Sequence, residues 1–171
     1  MPEPSADPSL GAGWILATLE SRGQTLAVAE SLTGGALAAA IVAVPGASAV
    51  FRGGVVAYAT DLKTALLDVP AELLDRRGPV DPEVAVAMAD GVRRRLTATY
   101  GVATTGVAGP SAQDGIAPGR VYVAVTSARD TLVHTLNLSG DRASVRGQAA
   151  DEALALLARV ILAASDSVGE H

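Results

Sequence analysis

Short Val/Ala-rich runs alternate with longer helical segments, and this alternation most limits how the chain can fold. Residues 25–29 (Thr-Leu-Ala-Val-Ala), 53–59, 102–105, 121–126 and 131–138 read as strands. Residues 10–21, 36–44, 61–67 and 71–76 read as helices, with Arg22-Gly23 and Pro45-Gly46 as stop signals. Asp81-Pro82 is a further helix start, with Asp as N-cap and Pro in the first turn. Val84, Met88, Val92 and Leu96 follow at intervals of four and carry that helix to about residue 100. Asp141 caps a last helix whose apolar stripe is Val145, Ala149, Ala153, Leu157 and Ile161. The turn residues 127–130 predict a hairpin between the last two strands. Helices and strands in this order require a sheet covered on both faces. The expected fold is α/β, a three-layer α/β/α sandwich whose hairpin makes a mostly parallel sheet mixed.

The chain has 171 residues, enough for one core. Hydrophobic residues make up 49% and charged residues 18%, which excludes a disordered chain. Aromatics are only 3%, so the core must be built from Ala, Val, Leu and Ile. We read a single domain over 11–165, with flexible tails at 1–10 and 166–171.

Several function classes are disfavoured. Cysteine is absent, which removes disulfides, thiolate chemistry and thiolate metal sites and is compatible with the cytoplasm. The net charge of −5 gives no field that attracts nucleic acid. Arg93-Arg94-Arg95 reads as a solvated helix face. The N-terminus lacks the basic and apolar regions of a signal peptide, and no apolar stretch approaches the roughly 20 residues of a membrane span. A cytoplasmic protein with neither a nucleic-acid nor a membrane partner is expected.

Strand ends that meet helix starts are where open α/β sheets gather their sites. Three such junctions carry reactive residues: 30–35, 58–63 and 105–110. Ser31 lies between a strand and the glycine-rich start of a helix. The N–H groups of Thr33, Gly34 and Gly35 are expected to be unpaired there and available to an oxyanion or a phosphate. The same spacing fits a simple helix cap by Ser31 or Thr33. Lys63 is the only lysine beside twelve arginines. A base must lose its proton, which arginine effectively cannot do, so a lone lysine is a candidate for a neutral amine; a surviving surface lysine fits equally. Tyr58 is placed to hydrogen-bond into the same site.

His134 falls within a strand and His171 ends the chain, so a Ser-His-Asp triad is not expected, whereas a Ser-Lys arrangement is open. No His or Cys cluster suggests a metal, and no cofactor is expected. Arg142 and Arg146, one helical turn apart and about 6 Å along the axis, form either a phosphate clamp or two exposed arginines. Thr105-Gly106-Val107-Ala108-Gly109-Pro110 offers further backbone donors, with Thr105, Gly106 and Gly109 as candidates, but is not a Walker loop.

Taken together, Ala29-Glu30-Ser31-Leu32-Thr33-Gly34-Gly35, Val44-Pro45-Gly46-Ala47-Ser48, Phe51-Arg52-Gly53-Gly54-Val55-Val56-Ala57-Tyr58, the 105–110 segment, Gly140-Asp141-Arg142 and Val145-Arg146 resemble the CinA C-terminal domain family in order and spacing, from about residue 10 to 163. The resemblance implies a metal-free serine amidohydrolase. It would convert nicotinamide mononucleotide to nicotinic acid mononucleotide and ammonia in pyridine-nucleotide salvage. It implies Ser31 as nucleophile, Lys63 as proton acceptor and Tyr58 as supporting partner. Arg146, with Arg142, would contact the ligand or order the site. Larger members carry an additional N-terminal domain, so the resemblance implies the stand-alone form, and it is compatible with a homodimer. Leu32 stands where the family commonly has Cys, and Thr60 where it often has Asn. Residues 111–120 lack the family's usual glycines and Lys-Pro pair. These departures keep open a non-catalytic nucleotide-binding or regulatory module. A role on DNA, suggested by the family's historical name, is disfavoured by the charge and the few aromatics.

Overall fold

The computed structural model describes residues 10–166. The tails expected at 1–10 and 166–171 therefore lie outside the described residues, apart from Leu10 and Asp166. The elements run α1 (Ala12–Ser21), β1 (Leu26–Glu30), α2 (Ala36–Val42), a 3-10 turn (Ala47–Ala49), β2 (Phe51–Val56), α3 (Thr60–Leu67), α4 (Ala71–Arg77), α5 (Pro82–Arg95), β3 (Tyr100–Gly106), β4 (Arg120–Thr126), β5 (Thr131–Asn137) and α6 (Arg142–Asp166).

The five strands form one mixed sheet in the order β2-β1-β3-β4-β5. β1 pairs in parallel with both β2 and β3, while β4 runs antiparallel to β3 and β5. Only β4 opposes the common direction, so the expected mostly parallel sheet with a late hairpin is present. Ser127 closes that hairpin: its amide donates to the Asp130 carbonyl, and its Oγ accepts from the amides of Arg129 and Asp130.

The pleat sorts the small aliphatic residues by face. Leu26 and Val28 of β1, Val102 of β3 and Val121, Val123 and Val125 of β4 pack with α1, α2 and α6, including Leu19, Leu37, Val145 and Leu157. Ala27, Ala29, Ala103 and Ala124 face the other way, toward Leu67 of α3, Leu73 and Leu74 of α4, and Val84, Met88 and Val92 of α5. Small side chains on this second face let α5 approach the strands closely. A Cβ on Gly101 would overlap the carbonyl oxygen of Ala89. The scarcity of aromatics is thus matched by close helix-to-sheet packing rather than by a loose core.

Two expected boundaries are corrected. The helix carried to about residue 100 ends at Arg95; Thr97 adopts a left-handed φ of 52° and Tyr100 already belongs to β3. Leu96 continues the apolar periodicity because it packs against the α5 cluster from the helix end, which is why the pattern overran. The strand expected at 53–59 is instead Phe51–Val56. Past it, the Ala57 amide still donates to the Glu30 carbonyl before the chain turns into α3. The Arg93–Arg95 run sits at the end of α5, with Arg93 and Arg94 on Asp90 and Arg95 on Asp68. No helix among the described residues is long and apolar enough to cross a membrane.

Candidate active site

The chain leaves β1 toward one side of the sheet to form β2, then returns past β1 to place β3 on its other side. The carboxyl ends of β1 and β3 consequently border a crevice, the usual site-forming position of such sheets. A cleft of about 120 Å³ lies there, lined by Ser31, Lys63, Tyr58, Thr105, Gly109 and Arg142 among others.

Ser31 follows the last residue of β1 and is 8% exposed. Its amide is fixed by the Thr104 carbonyl of β3. Lys63, on α3, is 1% exposed. Its Nζ donates to Ser31 Oγ at 3.1 Å and to the Ala57 carbonyl at 2.7 Å. Burial disfavours the charged ammonium and lowers the Lys63 pKa to about 8. The sole lysine of the chain is therefore an interior amine held against a serine, and the surface-lysine reading is excluded.

Tyr58 is 61% exposed, and its hydroxyl accepts from Arg142 Nη2 at 3.0 Å. Arg142 Nη1 donates to the Gly109 carbonyl at 2.7 Å. This arginine ties the β2–α3 junction to the loop after β3 and lines the cleft. Thr105 Oγ1 donates to the Pro79 carbonyl, which draws residues 79–80 into the wall. Gly106 is required by close approach, because a Cβ there would overlap the backbone of Arg120 and Val121.

Three expectations change. The Gly34 and Gly35 amides are not free for an anion. Gly34 donates to the Ser31 carbonyl and Gly35 to Glu30 Oε1. Glu30, 1% exposed, also accepts from the amides of Leu37 and Ala38, so a carboxylate of the chain itself occupies the start of α2. Neither Ser31 nor Thr33 caps that helix with its side chain; Thr33 Oγ1 lies 2.8 Å from Thr104 Oγ1 in the core. Arg142 and Arg146 also do not act as one clamp. Arg146 donates from Nε to the Leu32 carbonyl and from Nη2 to the Thr33 carbonyl, both at 2.9 Å, away from Arg142's partners. Neither Thr33, Gly34, Gly35 nor Arg146 lines the cleft.

Sequence reasoning did not anticipate Glu30 as the cap of α2, or Pro79 and Val80 as cleft wall. The signal for Glu30 was present: an acid at the end of an apolar run, just before a helix with no acid in its first turn. Among the described residues, no group of three or more His, Asp or Glu is arranged to hold a metal.

Fold and site together define a three-layer α/β/α domain that holds a serine and a buried lysine at the carboxyl ends of its parallel strands. The model of the CinA C-terminal domain matches residues 12–161, and the chain belongs to that family. It is 48% identical over 156 residues to a CinA-like protein of Frankia casuarinae, covering 91% of this chain and 36% of the relative. A CinA-like protein of Parasynechococcus marenigrum is 49% identical over 154 residues, with 90% and 36% covered. The chain thus spans about a third of the length of these curated relatives. Among solved structures, a competence-damaged protein (CinA) superfamily protein of Klebsiella pneumoniae superposes with a TM-score of 0.85 at 31% identity, covering 90% of this chain and 96% of that one. The competence/damage inducible protein CihA of Agrobacterium tumefaciens gives 0.85 at 31% identity, with 93% and 97% covered.

Proposed function

We propose that the protein is a serine amidohydrolase that converts nicotinamide mononucleotide to nicotinic acid mononucleotide and ammonia. The observation that carries the chemistry is Lys63 Nζ, 3.1 Å from Ser31 Oγ and buried without a carboxylate among its hydrogen-bond partners. The substrate is the one implied by the family's motifs. Arg142, a cation lining the cleft beside Tyr58, suits its phosphate.

In its neutral form Lys63 accepts the Ser31 proton while Oγ attacks the carboxamide carbon. The carbonyl electron pair moves onto oxygen, and a C–O bond to Ser31 forms. As the oxyanion collapses, the C–N bond breaks and Lys63 returns its proton to the departing ammonia. Water, deprotonated by the same amine, then cleaves the acyl ester and regenerates Ser31. Net, one water is consumed for each amide bond broken.

The test is ammonia release from nicotinamide mononucleotide by the full chain, beside Ser31→Ala, with and without EDTA. Release that falls by at least ~10⁴-fold in Ser31→Ala and ignores EDTA supports the reading. Nucleotide binding without release by folded protein rejects it in favour of a non-catalytic binding module.

A further inference from the structure

The occupied start of α2 leaves open where the oxyanion of such a reaction would be held. Gly34 and Gly35 are committed to Ser31 and Glu30, and the Ala36 amide donates to the Thr33 carbonyl. Among the described residues, the amides of Leu32 and Thr33 donate to no acceptor in the chain. Leu32 is buried and lines the cleft directly after Ser31. Unpaired buried amides are uncommon and here flank a nucleophile candidate.

Arg146 reaches this turn from α6, and both of its donated bonds go to the carbonyls of Leu32 and Thr33. In a trans peptide the N–H points opposite to the C=O of the same unit. Drawing the Leu32 carbonyl toward α6 therefore turns the Thr33 N–H away from α6. Gly34 φ is +58°, and a Cβ there would lie 3.3 Å from Arg146 Nη2, so the turn leaves room for little besides this guanidinium. A planar fork spanning two successive carbonyls fixes the Leu32–Thr33 and Thr33–Gly34 peptide planes, the first of which carries the Thr33 N–H, and a lysine ammonium cannot do this.

We propose that the Leu32 and Thr33 amides are the oxyanion donors for Ser31 and that Arg146 is the positioning residue of the Thr33 amide, acting through the Leu32 carbonyl without touching substrate, while the Gly34 amide on the Ser31 carbonyl orients the Leu32 N–H. This rests on the amidohydrolase reading. Oxyanion donors act on the transition state more than on the ground state, so loss of their alignment lowers kcat and leaves KM nearly unchanged.

The experiment compares wild type, Arg146→Lys and Arg146→Ala by steady-state kinetics on nicotinamide mononucleotide. It also compares their affinity for pyridine-3-boronic acid, whose adduct with a serine carries a tetrahedral, negatively charged boron. Both variants are expected to lose ~100-fold in kcat with KM within ~3-fold, and to lose boronate affinity comparably. Millimolar guanidinium is expected to restore part of the kcat of Arg146→Ala. A rise in KM with kcat preserved would overturn the proposal and make Arg146 a ligand contact. So would full activity in Arg146→Lys. Should Arg146→Ala fail to fold, Arg146→Lys decides by the same split. If wild type releases no ammonia from the mononucleotide, the substrate reading fails by itself. The boronate arm, with Ser31→Ala as control, then decides the oxyanion assignment: Ser31-dependent affinity that falls in Arg146→Lys upholds it, and affinity indifferent to Arg146 overturns it.

Discussion

Lys63 Nζ and Ser31 Oγ are 3.1 Å apart, with the Ala57 carbonyl as the amine's other hydrogen-bond partner. An ammonium in this position has no carboxylate to stabilise it, and burial lowers its pKa to about 8. Only the neutral amine accepts the Ser31 proton. The logarithm of kcat/KM should therefore rise with unit slope on the acid side and level off near pH 8. Rates measured from pH 6 to 10 check this, and a profile flat through pH 7–9 would exclude Lys63 as the titrating base.

The same burial has a stability signature. The unfolded chain binds the Lys63 proton up to the ordinary lysine value of 10.5, and the folded chain releases it at about 8. Between those values the unfolded state holds more protons, so wild-type stability rises with pH across this window. Lys63→Met removes the dependence. The variant's stability relative to wild type should be most favourable below pH 8 and fall by on the order of 3 kcal/mol by pH 10.5. Lost hydrogen bonds add a constant offset without this slope. Denaturant titrations at pH 7, 9 and 10.5 read it directly; a difference independent of pH would show that Lys63 titrates normally in the fold.

Glu30 holds the turn on the opposite side of β1's end. Its two oxygens accept from the amides of Gly35, Leu37 and Ala38. In Glu30→Gln one oxygen becomes an NH₂ group that faces N–H donors. The expected loss is about 1–3 kcal/mol, seen as a lower urea midpoint at unchanged m-value. An unshifted midpoint would mean that α2 does not depend on this cap.

The fold was legible because its signals are local. The alternation of strands and helices, the Asp81-Pro82 start and the α6 stripe all survive in the structure. The association of Ser31 with Lys63 was legible from the meeting of strand ends and from the family resemblance, since a spacing of 32 residues by itself says nothing about contact. What escaped is side-chain direction. Arg142 and Arg146 share a helix but reach different carbonyls, and the α2 amides looked open because Glu30 was read only as the first residue of the 30–35 junction, with no partner assigned to its side chain. Each of these depends on which face of an element meets which neighbour, and that is decided by tertiary packing rather than by spacing.

Gly91 offers a case in which packing should reverse a local preference. In the middle of a helix, Gly→Ala ordinarily gains about 1 kcal/mol, because alanine has less backbone entropy to lose. Gly91 lies within α5, is buried, and has no positive φ. Its missing Cβ is where α3 approaches: a methyl group there would overlap the Leu67 carbonyl oxygen at the end of α3. That atom belongs to backbone and cannot rotate aside, so α3 must shift as a unit. The helix that would move carries Lys63, four residues before Leu67. Gly91→Ala should therefore destabilise by about 1–3 kcal/mol despite its favourable propensity. It should also lower turnover by displacing the amine from Ser31, though Gly91 itself does not line the cleft. Calorimetry and ammonia release on the same preparation test both halves; a raised Tm with wild-type turnover would show that α3 yields freely and that the Lys63 position tolerates its movement.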